Sequence, residues 1–196
     1  VSSFRLPLAA NYFPEKVNAT AVHFPEQVFA RLEGMAAKES ADELDHDELA
    51  TWSAFATLLE WVPAALDAQL KRDSGIGHFD FGILFALSRA EDHTLRMSDL
   101  AGYANSTLSR LSRAVDRHER EGWVRRAPDP GDGRITLATL TSEGREFVRA
   151  ATPGHVQLVR RLVFDSLTTA QSQQLNVISR RITGAVRSEG GWQPPS

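Results

Sequence analysis

Residues 106–134 read STLSRLSRAVDRHEREGWVRRAPDPGDGR: seven arginines, no lysine, and a proline- and glycine-rich pause just before the last arginine. On a helix that turns about 100° per residue, Arg110, Arg113, Arg117 and Arg120 fall within a sector of about 80°, while Leu108, Leu111 and Val115 lie nearly opposite. One side of such a helix suits a core and the other an anion. Ser109 and Ser112 flank the cationic side with short hydroxyls that can reach phosphates or base edges. In isolation, a solvated helix whose arginines pair with Asp116, Glu119 and Glu121 explains the pattern most simply. The flanking sequence points elsewhere.

Upstream, MSDLAGYA (97–104) reads as a short helix with Ser98 as its N-cap. Asn105 can take the left-handed conformation that ends it, and Thr107 can cap the arginine helix. Helix, tight turn, helix is the helix-turn-helix arrangement, which sets Ser109, Arg110, Ser112 and Arg113 against a major groove. Downstream, a short strand from Trp123, a turn from Pro128 to Gly133 and a strand from Ile135 to Leu140 form a hairpin. Arg134 leaves that turn where it can enter a minor groove, most favourably a narrow, A·T-rich one.

The rest of the chain supports a core but not, by itself, a nucleic-acid binder. It has 196 residues, is 42% hydrophobic, and carries a formal net charge of -3. Residues 96–134 hold eight arginines against six acids, a net of +2, leaving 14 basic and 19 acidic residues elsewhere. Phosphate is attracted by one segment and repelled by the bulk. The absence of cysteine excludes disulfides, zinc-thiolate sites and thiol redox switching. With no uninterrupted apolar run of the roughly 18–20 residues a membrane span needs, no membrane partner and a cytoplasmic location are expected.

Residues 1–43 read as an arm with one short helix around Pro25 to Ala37. Leu49, Trp52, Phe55, Leu59, Val62, Leu66 and Leu70 then step by threes and fours along a long helix, which Pro63 should kink or divide. RDSGIG (72–77) breaks it, and an apolar helix follows over residues 78–90. After the hairpin come a helix from Ser142 to about Phe164, kinked at TPG (152–154), and a last one opened by TTAQ. There, Thr168 and Gln171 can form a capping box. Leu175, Ile178, Ile182 and Val186 stripe the last helix, and the first and last helices are expected to pack together and against a second copy.

Residues 97–144 resemble the winged helix-turn-helix of the MarR family of bacterial transcription regulators. The resemblance rests on Leu100-Ala101, SR.VDR.E..GWV.R at 112–126, DP.D.R at 129–134 and LT..G at 140–144. It implies a mainly α fold with a small β-hairpin wing, and a triangular obligate homodimer on a palindromic double-stranded DNA operator. Residues 44–75 and 142–190 would form the helical dimerisation region and 76–141 the DNA-binding domain. The expected DNA-binding residues are Thr107, Ser109, Arg110, Ser112, Arg113, Arg117, Asp132 and Arg134, with Asp132 steadying Arg134. Where the family usually has leucine after VDR, this chain has His118, expected to be half-buried at the edge of the apolar face.

In that family a small-molecule pocket lies where the dimer base meets the winged domain. Trp52, Phe55, Leu59, His78 and Phe81 are the candidates to line it here, for a small aromatic or apolar effector, although most of this aromatic surface, with Phe79 and Phe85, is expected to be core. The five carboxylates around His46 in DELDHDELA (42–50) suit a helix start better than a metal site. GIGH (75–78) lacks the spacing of a phosphate loop, the histidines lack metalloprotease spacing, and no nucleophile-base pair stands out. No enzyme activity, cofactor or metal is expected. The rival reading is a winged-helix protein-interaction module without DNA binding, for which an apolar patch would serve better than a cationic face.

Overall fold

Asp45 opens the first helix of the computed structural model, which describes residues 43–190; the expected arm and its helix at residues 25–37 lie outside the described residues. The Asp45 carboxylate accepts the backbone N–H groups of Asp47 and Glu48 at 2.9 and 2.8 Å, and Glu48 Oε2 accepts the Asp45 N–H at 3.1 Å. This reciprocal cap is the helix start that the acidic run suggested. The chain divides into two compact units, residues 1–50 and 51–196. Of the first unit, only this helix start and the residues leading into it are described.

Helix α1 (His46–Ser74) runs on through Pro63, which therefore does not divide it. The missing N–H strands one carbonyl, that of Leu59, which lies on an exposed part of the helix where water can satisfy it. By length and composition α1 would also suffice to cross a membrane. Its apolar run is interrupted by Glu60 and Asp67, however, and its last turns bury Leu66, Gln69 and Leu70 within the fold. Gly75, at φ 74°, turns the chain into α2 (His78–Arg89). The α2 start is capped from α1: Asp67 Oδ1 accepts the His78 N–H at 2.9 Å, and a Cβ at Gly77 would come within 2.8 Å of that oxygen.

Strand β1 (Thr94–Arg96), α3 (Met97–Tyr103), α4 (Leu108–Arg120), β2 (Val124–Pro128) and β3 (Thr136–Leu140) follow. The sheet has three antiparallel strands in the order β1-β3-β2, one more than the expected hairpin. Three residues are too few to show alternation, so β1 left no pattern in the sequence. Thr94 and Thr139, paired across β1 and β3, share a 2.9 Å hydroxyl hydrogen bond. In the hairpin itself Val124 pairs with Leu140 and Pro128 with Thr136.

Ile83, Leu84 and Leu87 of α2 pack with Leu100 of α3, Leu111 and Val115 of α4, and Ala138 and Leu140 of β3 in one buried cluster. Each fully buried Leu or Ile contributes about 1.5–3 kcal/mol. A smaller cluster of Leu70, Phe81 and Ala151 joins α1, α2 and α5 (Ser142–Val159). The α5 helix passes through Pro153 and gives way at Arg160–Phe164 to a π-helical segment. Thr168 and Gln171 form the expected capping box of α6 (Thr169–Gly190), with the Thr168 N–H 2.9 Å from Gln171 Oε1.

The apolar stripes expected to meet a second copy lie open in the single chain. Leu175, Ile178, Ile182 and Val186 of α6 are exposed, as are Trp52, Leu58, Leu59 and Trp61 of α1. Periodicity identifies a face that wants covering; it does not say that the same chain covers it.

Candidate nucleic-acid interface

The turn that presents α4 is built from backbone hydrogen bonds. Asn105, at φ 43°, donates its N–H to Gly102 O at 3.1 Å, and Ser106 donates to Ala101 O at 3.0 Å. This is the Schellman geometry with asparagine in the left-handed position. Thr107 then caps α4, its hydroxyl accepting the Arg110 N–H at 3.3 Å. The expected cap at Ser98 does not form. Helix α3 starts two residues earlier than that cap would place it, at Met97 directly off β1, and Ser98 Oγ donates instead to Asp99 Oδ1 at 3.1 Å.

Ser109, Arg110 and Arg113 are exposed along one side of α4. The Arg110 guanidinium lies 4.3 Å from the centre of the Phe79 ring, which aims it without using up its hydrogen-bond donors. Arg113 makes no ion pair among the described residues. Leu108, assigned to the core face by its angle, is exposed because the first turn of α4 projects past the buried cluster. Facing this turn, the end of α1 and the start of α2 close a groove of about 580 Å³. Lys71, Phe79 and Asp80 line one side, and Thr107, Ser109, Arg110 and Arg113 the other.

The acids of α4 do not pair with its arginines as a simple solvated helix would. Arg126 of β2 takes them: its Nη2 meets both Asp116 Oδ1 and Glu119 Oε2, its Nε donates to Glu119 Oε2 at 2.8 Å, and its backbone N–H donates to Glu119 Oε1 at 2.8 Å. Nη1 adds a 3.3 Å hydrogen bond to Ser112 Oγ, so Ser112 faces the wing strand. The hydrogen bonds to Glu119 and then Asp116 hold the Arg126 pKa above its ordinary value.

Arg117 is also engaged. Its Nη2 donates to Asp80 Oδ1 at 2.7 Å, and the same oxygen lies 3.3 Å from His118 Nε2. His118 is 2% exposed, more buried than its edge position suggested, with its ring 5.9 Å from that of Trp123, which stacks in turn on Phe147 at 4.0 Å.

A second Schellman turn sets the wing. Gly122, at φ 74°, donates to Glu119 O at 3.0 Å and Trp123 donates to His118 O at 2.9 Å. Thr141, the N-cap of α5, donates its hydroxyl hydrogen to Gly122 O at 2.7 Å, while its oxygen accepts the Gly144 N–H at 3.0 Å. At the wing tip the Asp129 carboxylate accepts the Gly131 N–H at 2.7 Å. Asp132 holds Arg134 in a fork, with Nε to Oδ1 at 3.0 Å and Nη2 to Oδ2 at 3.1 Å, while the Arg134 side chain stays 91% exposed. The guanidinium keeps the Asp132 carboxyl below the usual carboxylate range.

The five residues expected to line an effector pocket separate into two groups. Trp52 and Phe55 sit together on α1, ring centres 6.2 Å apart, near the exposed Leu59. Phe81 and His78 instead gather around His155 of α5, at 4.9 and 5.7 Å between ring centres. Burial lowers the pKa of both histidines, and Nδ1 of each is buried without a hydrogen-bond partner. His155, Phe79, Asp80 and Arg126 were missed as contributors. Only Arg126 left a signal, as the last arginine of the VDR.E..GWV.R spacing.

Known proteins share this fold. A model of the MarR family matches residues 74–135. Sco3205, a MarR family transcriptional regulator from Streptomyces coelicolor crystallised in complex with DNA, is 40% identical, with a TM-score of 0.71 over 76% of this chain and 92% of that one. AbsC, a MarR family regulator from the same organism, is 32% identical, with a TM-score of 0.71 over 74% of this chain and 98% of that one. The transcriptional repressor MprA of Escherichia coli (strain K12) is 28% identical over 114 residues, 58% of this chain and 64% of its own, so the match spans just under two thirds of that curated relative. Taken with the capped helix-turn-helix and the Asp132-Arg134 wing, the identity to Sco3205 over nearly all of its length shows that this chain belongs to the MarR family.

Proposed function

We propose that this chain is a sequence-specific transcriptional regulator that binds a palindromic double-stranded DNA operator as a homodimer and represses the genes beside it. One observation carries the reading: Arg110 and Arg113 lie exposed on α4 while the acids of that helix are held by Arg126. Thr107 and Ser109 add hydroxyls beside them, and Arg134, braced by Asp132, extends the cationic surface to the wing. Arg110, Arg113 and Ser109 meet base edges or phosphates in the major groove, and Arg134 enters the minor groove. Arg117 and Ser112 have partners within the protein, so their part is to hold α4 in place until a phosphate competes for them.

The exposed stripes of α1 and α6 support a dimer built from residues 44–75 and 142–190, which sets two 76–141 domains roughly 34 Å apart to match successive major grooves. The DNA complex of Sco3205 and the repressor role in the name of MprA support the DNA target and the sign of regulation. A small aromatic or apolar effector, bound where His78 and Phe81 approach α5, relieves repression by changing that separation. The protein acts in the cytoplasm, where its DNA is.

The test is a salt titration of the purified protein against promoter DNA flanking its own gene, with a scrambled duplex as control. Salt-sensitive binding that prefers the native duplex by roughly a thousandfold or more is expected. Equal, weak binding to both duplexes and to tiled fragments of the neighbouring genes would defeat the reading.

A further inference from the structure

Asp116 sits between two charge environments on α4. It lies three residues after Arg113 and four before Arg120, close enough in both directions for ordinary helix ion pairs. The Arg120 Nε already donates to the Asp116 backbone carbonyl at 3.3 Å, so that guanidinium stands at the turn where the carboxylate originates. The carboxylate nevertheless turns the other way, to Arg126. Glu119 and Ser112, which share the helix edge facing β2, complete the cluster. Arg126 is anchored from both sides: its backbone pairs with Ala138 of β3 as well as donating to Glu119.

We propose that Arg126 is a positioning residue for DNA binding, which draws Asp116 off the cationic face of α4 and so keeps Arg113 unpaired for a phosphate. The role has two physical parts. The Arg126 fork ties the wing strand to the recognition helix, fixing the distance between the major-groove and minor-groove readers. It also absorbs the negative charge that would otherwise compete with phosphate for Arg113. Arginine suits the position because a planar fork can serve two carboxylates and a hydroxyl at once, which a lysine ammonium cannot do from one position.

The inference rests on the DNA-binding reading, and its test separates the two. In the DNA-free protein, the Arg113 Nε–Hε signal is followed by NMR in wild type, R126Q and R126Q/D116N. With R126Q, Asp116 turns to Arg113 and shifts that signal; adding D116N returns it. Operator affinity should fall roughly ten- to hundredfold in R126Q. The slope of log affinity against log salt should shrink by about 0.9 per subunit and recover in R126Q/D116N, while affinity should recover in part, because the tie between the wing strand and α4 stays cut. Should R126Q fail to fold, R126M, which keeps the length of the side chain and the backbone bond to Glu119 but not the charge, is read in the same way. An unmoved Arg113 signal, or a folded double variant that stays as weak as R126Q, overturns the proposal. If the signal behaves as expected but the wild type binds no duplex at low salt, the DNA-binding reading falls and the role of Arg126 in DNA binding falls with it.

Discussion

Arg117 Nη2 donates a 2.7 Å hydrogen bond to Asp80 Oδ1, joining the recognition helix to the first turn of α2. The same carboxylate faces the buried His118, so one acid steadies two consecutive residues of α4. Burial pushes the Asp80 pKa up, but the His118 imidazole 3.3 Å away and the hydrogen-bonded Arg117 guanidinium outweigh it and hold the carboxyl below its ordinary value. Asp80→Asn should cost about 1–2 kcal/mol, the low end for charged hydrogen bonds because the group keeps some contact with water. A folded-state pKa below 3.8 gives stability that is present above that pH and lost as pH falls through the folded value. Urea melts of wild type and D80N should therefore differ at neutral pH and converge in acid; a constant difference down to about pH 2 would rule out the ionic contact as its source.

The wing makes the next prediction. Arg134 is almost wholly solvated and its one braced contact is Asp132, so Arg134→Ala should leave the melting temperature unchanged. Operator affinity should fall roughly tenfold or more, and most for sites with a narrow, A·T-rich minor groove beside each half-site. Asp132→Asn keeps the cation but loses the fork, so its loss should be smaller. Equal affinity of R134A and wild type at physiological salt would remove the wing from the interface.

How much of this was legible follows from the range of each interaction. Asn105, Thr107 and Thr168 were readable because a cap is settled by residues within three or four positions. The orientations of Arg117 and Ser112 were not. Their partners, Asp80 and Arg126, lie 37 residues before and 14 after, and a helical wheel describes only one helix. The same wheel sent Leu108 inward because it has no information on where the buried cluster ends. Strand β1 was too short to carry a period, and the apolar stripes of α1 and α6 record a need for burial without naming the chain that supplies it.

Asn105 gives a direct check on the turn. At φ 43° a side chain without a local hydrogen-bonding group is strained, whereas glycine is not. Asn105→Gly should stay within a few tenths of a kcal/mol of wild type, and Asn105→Val should lose about 1–2 kcal/mol. Thermal melts decide the matter. If the valine variant matches the glycine one, the left-handed residue is not what closes the helix-turn-helix.

The pairing of His78 with His155 predicts a second pH dependence, at milder acidity. Burial lowers both pKa values; Asp67 pulls that of His78 partly back, while His78 pushes that of His155 further down. Between the folded values and 6.5 the unfolded chain therefore binds more protons than the folded one. Stability is fully present above about pH 6.5 and is lost as pH falls through that window. The denaturant midpoint should be lower at pH 5.5 than at pH 7.5. His155→Phe keeps an aromatic ring against Phe81, 4.9 Å from the imidazole in the native protein, and removes one of the two half-buried bases. The gap between the two midpoints should then narrow. A gap as wide in the variant as in wild type would place the acid sensitivity in other groups.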